Sequence, residues 1–415
     1  MTSNDFLYVW AWLPHELEPV PVGTVGLDRG KEALEFAYAT SYRSLPGAIP
    51  IAPMLPLSEE TYRASGDLLM PAPLRDAMPD AWGRRVLQHA NPQLPAADGN
   101  PHARGELAYM LASGTNRFGG LDFQESHSHW VPRETATTLD ELHDAARRLE
   151  QGLILSPELD SALVHGTTIG GARPKALVQD NDRQYIAKFT SSSDTIPVIK
   201  AEAAALYLAE SVGITVPSNR VVESLGRFVL LVERFDRVPS GGRRLTVSAL
   251  TLSGYDEMRA RYATYLDFLN ALIAYQPLAE VGPQLFDRIA FNMAISNSDD
   301  HARNHAAFWD GQRLDLTPAY DLAPNSRTGE TASQAMAYAV DSSGVPVKES
   351  NFARLIEYAP TYGLNMSEAR DRIDHLVTTV NEQWEHAADH GRLTRAERDA
   401  LWGRQFLNPG VLFGM

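Results

Sequence analysis

Apolar and polar positions along this chain follow two periods, and the change from one to the other marks its parts. Between residues 6 and 40 the runs are short and strand-like: residues 20–27 and 34–38, split by Asp28-Arg29-Gly30, predict two strands around a turn. Proline recurs over residues 45–73, which predicts irregular backbone with short extended pieces. Residues 77–83 lead into a short helix, and a strand surrounds residues 119–123. The polar stretch 124–138 is the natural seam. Beyond it, Thr138 with Glu141 three residues later is a capping box, opening a helix that stops at Gly152. Residues 176–178 and 185–189, joined across residues 179–182, predict a hairpin. Residues 200–211, rich in Ala and Leu, predict a helix stopped by Gly213, and residues 220–223 and 227–233 predict two further strands.

From about Leu245 the period becomes helical. Leu285, Phe286, Ile289, Ala290, Met293 and Ala294 recur on one face of a buried helix. Ile373, Leu376, Val377, Val380 and Trp384 form a second stripe, closed by Gly391, and Thr394 with Glu397 caps a last helix. The expected architecture is α+β: a β-rich unit over residues 1–125, a mixed unit over 126–240 and a helical unit over 241–415.

Composition narrows the classes. With 415 residues, 44% hydrophobic and 21% charged, the chain has the make-up of a globular protein of two or three domains. It has no cysteine, which excludes disulfides, thiolate catalysis and cysteine-ligated zinc. No apolar run is long enough to span a bilayer, and MTSNDFLYVWAWLP lacks a basic region before its apolar residues, so a soluble, cytoplasmic protein is expected. A net charge of −15 argues against a free-standing nucleic-acid binder. The basic clusters Arg243-Arg244 and 392–398 read as solvated surface.

The helix ending near Ala294 leads into the chain's most informative stretch, Asn297-Ser298-Asp299-Asp300-His301-Ala302-Arg303-Asn304, followed by Leu316-Thr317-Pro318-Ala319-Tyr320-Asp321. An aspartate, an asparagine five residues on and a second aspartate soon after is the spacing of a phosphoryl-transfer loop, with Asp299 as base and Asn304 and Asp321 as magnesium ligands. Such chemistry also needs cations against the phosphates. Lys188 stands in an otherwise apolar strand, where a lysine must face solvent or meet an anion, and Glu202 in the next helix is the available carboxylate. His165-Gly166-Thr167-Thr168-Ile169-Gly170-Gly171-Ala172-Arg173-Pro174-Lys175 fits either a phosphate cradle or a plain surface turn; it is not a Walker A loop, because Ala172-Arg173 stands where Lys-Ser/Thr should be. The strand ending at residues 233–236 lies where a kinase hinge would join two lobes, and backbone near Glu233 and Phe235 could hold adenine; a salt-bridged strand end fits as well. His301 and His305 form an H-x-x-x-H pair, compatible with a metallohydrolase that also used Asp299 and Asp300, or with His301 orienting the loop by hydrogen bonding and His305 in ordinary packing. His127 and His129 read as solvated. No G-x-S-x-G elbow supports a serine hydrolase.

Along most of its length the chain resembles the HipA family of bacterial serine/threonine kinase toxins. The resemblance is carried by Thr168-Ile169-Gly170-Gly171-Ala172-Arg173-Pro174-Lys175, Leu231-Val232-Glu233-Arg234-Phe235-Asp236-Arg237, the stretch from Asn297 through Asn304 and Leu316 through Asp321, with Met78-Pro79-Asp80 and Phe118-Gly119-Gly120-Leu121 similar to the N-terminal subdomain. It implies a two-lobed kinase-like fold with an ATP cleft and an all-helical C-terminal lobe. It also implies Asp299 as catalytic base, Asn304 and Asp321 as magnesium ligands, and Lys188 on the ATP phosphates. Gly170, Gly171, Ala172, Arg173 and Lys175 would form the nucleotide loop, Glu233, Arg234 and Phe235 the adenine site, and His301 and Tyr320 would complete the ATP contacts. Members autophosphorylate a serine in the glycine-rich loop, which ejects the loop and silences the enzyme; Thr168 occupies that position here, with Thr167 and Ser161 as rival acceptors. The family phosphorylates an aminoacyl-tRNA synthetase, typically the glutamyl enzyme. A DNA-binding antitoxin of the HipB type neutralises it, so DNA contact would be indirect. A small-molecule phosphotransferase and an interaction protein or co-repressor with a vestigial site are the competing readings.

Overall fold

The computed structural model describes residues 5–28, 30, 32–96, 101–133, 137–153, 155–156, 163, 173–191, 194–239 and 241–415. The first unit is a five-stranded antiparallel sheet made by β1 (Phe6–Ala11), β2 (Val20–Asp28), β3 (Ala33–Tyr38), β4 (Thr61–Arg63) and β5 (Leu121–Gln124), in the order β4-β3-β2-β1-β5. Two helices lie between β4 and β5: α1 (Ala81–Ala90), capped by the Asp80 carboxylate on the Gly83 N–H, and α2 (Ala103–Ala112). Within the predicted seam, Trp130 and Arg133 tie the chain back to β5. Trp130 Nε1 and Arg133 both donate to the buried Asp122 carboxylate, and Arg133 also reaches the Phe123 carbonyl at 2.9 Å. His127 and His129 are exposed.

The second unit opens with α3 (Leu139–Glu150), whose Thr138/Glu141 capping box forms as predicted. The hairpin β6 (Lys175–Asp180) and β7 (Arg183–Phe189) turns at Asn181, which takes a left-handed φ of 54° that asparagine tolerates. α4 (Val198–Ser211) follows, then β8 (Asn219–Ser224) and β9 (Arg227–Glu233), giving a sheet in the order β6-β7-β9-β8. Alternation along the strands decides what each face meets. Tyr185, Ala187, Phe189, Val229 and Leu231 pack beneath α3 together with Trp82 and Val86 of α1, while Leu230 and Val232 pack in the main core with α4. Lys188, between Ala187 and Phe189, is therefore turned to the α4 side.

The third unit is mainly helical: α5 (Tyr265–Ile273), α6 (Leu278–Ala294), the long α7 (Met366–His390) and α8 (Arg395–Leu401), with Ile373, Leu376, Val380 and Trp384 of the predicted stripe buried and Val377 partly so. It is not all-helical. β10 (Thr246–Ser248), β11 (Ala306–Trp309) and β12 (Leu314–Leu316) form a small antiparallel sheet. Strands of three or four residues are too short to declare a period of two. A second correction concerns Arg243, expected on the solvated surface. It is buried, its guanidinium 3.8 Å from the Trp12 ring centre, and it donates to the Thr115 carbonyl at 2.5 Å. Arg244 beside it is exposed. Among the described residues no helix is long and apolar enough to cross a membrane.

Candidate functional site

The site lies where β7, α4, the loop after α6 and the segment after β12 converge. The Lys188 ammonium bonds the Glu202 carboxylate at 2.5 Å and the Asp321 carboxylate at 2.6 Å, so one cation joins the sheet to α4 and to the C-terminal lobe. Burial disfavours the lysine's charge, but the two carboxylates more than offset this and raise its pKa. Lys188 in turn holds Asp321 well below the usual carboxylate range, against the opposing effect of burial. Glu202, only 3% exposed, is pushed up by burial and pulled back by Lys188. Asp321 keeps 42% of its side chain exposed, so its remaining lone pairs face the cleft. Its backbone has a φ of 58°, a left-handed conformation rare outside glycine and most often tolerated by Asp and Asn.

The loop after α6 is built around an inward and an outward aspartate. The chain turns at Ser296, with a φ of 53°, and Asn297 is buried, its amide donating to Asn292 Oδ1 at 2.9 Å and to the Asp321 carbonyl at 3.4 Å. Asp299 is exposed, and its carboxylate makes no hydrogen bond or ion pair with any described residue. Asp300, next in sequence, points inward. It accepts bonds from the Tyr265 hydroxyl, from Asn292 Nδ2 at 2.7 Å and from His305 Nε2 at 2.9 Å. His305 is thus the histidine that orients the loop, whereas the buried His301 Nδ1 has no partner among the described residues. That reverses the roles expected of the pair. Facing different ways, they are not a zinc-type couple, and the described residues contain no group of three or more metal-ligating side chains of the His, Cys, Asp and Glu type. Asn304 donates its amide to the Asp299 carbonyl at 3.4 Å, which leaves its Oδ1 for another partner. Asp299, Asn304 and Asp321 thereby sit in one hydrogen-bonded loop system.

Replacing Asp300 with alanine strands a buried hydroxyl, amide and imidazole without an acceptor. The expected cost is about 2–3 kcal/mol of stability, with faster amide hydrogen exchange confined at first to residues 297–304. Urea unfolding and exchange mass spectrometry check this; wild-type exchange in that loop would remove Asp300 as its anchor.

Aromatic rings line the junction of the lobes. Phe235 lies 5.3 Å from Tyr320 and 5.9 Å from Phe308, centre to centre, and Phe118 of the N-terminal unit lies 6.1 Å from Phe235. The Tyr320 hydroxyl donates to the Arg303 carbonyl at 2.8 Å. Glu233 and Arg234 give their N–H groups to the Ser218 and Gln184 carbonyls, and the Glu233 carboxylate pairs with Arg183. The Arg234 side chain, named among the ATP contacts, is committed elsewhere: it is buried and bonds the Asn116 and Arg117 carbonyls and both Asp236 carboxylate oxygens. Arg173 pairs with Asp194. Lys175 is buried, opposite Lys188 across the β6/β7 pair. Thr168, Gly170, Gly171 and Ala172, with Thr167 and Ser161, lie outside the described residues.

Sequence reasoning missed Phe118 as a cleft residue and Tyr265, Asn292 and Asp300 as loop anchors. Asp300, a second aspartate beside the first, was the one signal in plain view.

A β-sheet lobe with a lysine–glutamate bridge to its helix, joined by an extended segment to a helical lobe bearing the Asp299 loop, is a kinase-like two-lobed fold. The chain matches the model of the HipA N-terminal domain over residues 16–124 and that of the HipA-like C-terminal domain over residues 167–384, and it belongs to the HipA family. In three dimensions it is similar to a chain of the Shewanella oneidensis MR-1 toxin–antitoxin complex of HipA, HipB and operator DNA, with a TM-score of 0.68 and 18% identity, covering 95% of this chain and 94% of that one. In sequence it is 25% identical over 207 residues to the Y4mE protein of Sinorhizobium fredii (strain NBRC 101917 / NGR234), a kinase candidate by name. That match covers 48% of this chain and 47% of the relative, so the chain spans about half the length of the curated relative it matches.

Proposed function

We propose that the protein is an ATP- and magnesium-dependent serine/threonine protein kinase acting in the cytoplasm as the toxin of a toxin–antitoxin pair. The observation that carries this reading is Lys188 held between Glu202 and Asp321 while the Asp299 carboxylate stays exposed and unengaged. In that arrangement Asp299 takes the proton of a substrate hydroxyl, and Lys188 and Lys175 face the phosphates of ATP. The Asp321 carboxylate and Asn304 Oδ1 are hard oxygen donors of the type magnesium takes, and both have coordination capacity left by their present bonds. The metal would neutralise phosphate charge. Phe235, Tyr320 and Phe118 offer apolar faces to a nucleobase.

The substrate in this reading is a protein hydroxyl, with an aminoacyl-tRNA synthetase of the glutamyl type as the candidate. The likeness to a chain of a HipA–HipB–operator complex supports a HipB-like antitoxin as partner, and the charge of −15 suits a chain that leaves DNA contact to that partner. Thr168 is the proposed autophosphorylation site that switches the enzyme off. Protein purified after active expression should carry phosphothreonine in the tryptic peptide containing residue 168; phosphate confined to Thr167 or Ser161 would move the switch, and none would remove it.

The deciding experiment expresses wild type and Asp299→Asn in a bacterium, follows growth and compares phosphoproteomes. Growth arrest with one protein phosphorylated only by wild type is expected. Label from ATP appearing only on a small molecule would overturn the protein-kinase reading.

A further inference from the structure

The last residue of the glycine-rich segment, Lys175, sits in the kinase sheet but is also met by the N-terminal unit. Its side chain is 7% exposed, and its register places it directly opposite Lys188 on the same face of the β6/β7 pair. Two ammonium groups on one face of a hairpin repel, and burial weakens the charged form of Lys175 further. Asp80, itself only 4% exposed, is the first carboxylate to oppose this, with Oδ2 3.7 Å from the Lys175 Nζ. Its other oxygen, Oδ1, is tied down by the Gly83 N–H at 2.7 Å, at the start of α1. Two residues on, Trp82 Nε1 donates to the Lys175 carbonyl at 3.1 Å. Trp82 is 1% exposed and packs under the kinase sheet with Val86. One helix start thus bonds the backbone of Lys175 and sets a buried carboxylate oxygen opposite its ammonium, at ion-pair rather than hydrogen-bond distance.

We propose that Asp80 is a positioning residue for nucleotide: acting from the N-terminal domain, it keeps Lys175 aimed beside Lys188, so that two cations instead of one meet the triphosphate. The inference rests on the kinase reading above. It explains why Asp80 is buried facing a lysine of another unit, a placement costly for a carboxylate that did nothing but cap a helix.

Asp80→Asn separates charge from shape, since asparagine caps a helix N-terminus about as well as aspartate. The test uses the full chain carrying Asp299→Asn and measures the Kd for magnesium and a non-hydrolysable ATP analogue by calorimetry, with a thermal melt of each variant. Adding Asp80→Asn should weaken binding roughly tenfold, the loss of the buried carboxylate charge that faces Lys175, with the melting temperature little changed. Lys175→Met should weaken it similarly, and Asp80→Asn added to Lys175→Met should cost nothing more, because Asp80 acts through that lysine. A merely structural role would weaken the Lys175→Met protein again. Trp82→Phe, which keeps the ring and deletes the N–H donor, gives a smaller loss and serves if Asp80→Asn does not fold. An unchanged Kd in folded Asp80→Asn, or full additivity with Lys175→Met, overturns the proposal while leaving the kinase reading standing. If the Asp299→Asn parent itself binds no nucleotide, both fall.

Discussion

Asp299→Asn should lower phosphotransfer by about 10²–10⁴-fold, the usual contribution of a general base, equivalent to roughly 3–5 kcal/mol of barrier. Two features of the structure keep this substitution clean. The Asp299 side chain is exposed and makes no contact that the amide would break, so stability should move by less than about 0.5 kcal/mol. Loop geometry is carried by groups the substitution does not touch: the Asp299 backbone carbonyl, which accepts from the His301 N–H at 2.8 Å, and the anchored Asp300. Nucleotide affinity should therefore persist, because Lys188 and Asp321 keep their partners. Single-turnover transfer and nucleotide binding, measured on the same preparation, check the split. Transfer within a few-fold of wild type would show that Asp299 is not the base.

Asp321→Asn would give a different signature. Lys188 loses its ion pair with the C-terminal lobe and keeps Glu202 as its carboxylate partner among the described residues, so nucleotide binding and transfer should fall together. Comparing the two variants tells a base from a group that organises charge.

Much of this layout was legible from residue order. Where a signal is local it reads directly: the Thr138/Glu141 and Thr394/Glu397 capping boxes both form, and Lys188 lies on the helix-facing side of its strand because strands alternate. What could not be read is what depends on partners far along the chain. Arg243 looked like surface charge because nothing near it announces Trp12 and Trp130, distant in sequence, whose perpendicular rings meet its guanidinium at 3.8 and 5.7 Å. Arg234 looked like a nucleotide contact because its neighbours do, yet its five donors suit the carbonyls of residues 116 and 117 and the Asp236 carboxylate, which those donors and Arg237 hold down near a pKa of 2 despite burial. The Asp80–Lys175 contact spans two units and no spacing rule predicts it. Burial and long-range pairing, rather than type or period, separate these residues from their neighbours.

The same long-range logic makes Arg117 the residue whose loss should cost the fold most. Its side chain is fully buried, with Nε 2.8 Å from Asp122, Nη1 3.0 Å from the Ala77 carbonyl and Nη2 on the Met110 carbonyl, while the guanidinium lies 4.8 Å from the Phe123 ring centre. Asp122, equally buried, also takes the Gln124 amide at 2.8 Å and the Trp130 indole at 2.8 Å. Arg117→Ala leaves that carboxylate without its main counter-charge and takes a donor from the Ala77 and Met110 carbonyls, a loss of about 3–5 kcal/mol. Arg117→Lys keeps the charge but not the fork, and should recover only part of it. The damage should also reach the cleft, since the Arg117 carbonyl accepts from Arg234 and Arg237 beside Phe235, and Phe118 follows directly in sequence. Urea unfolding of these variants, made on the Asp299→Asn background so that activity does not limit expression, should show the loss first in the N-terminal domain, with weaker nucleotide binding at denaturant levels that leave the helical lobe intact. Wild-type stability in Arg117→Ala would mean that the N-terminal domain is held by its apolar core alone. In that case its grip on the hinge is incidental.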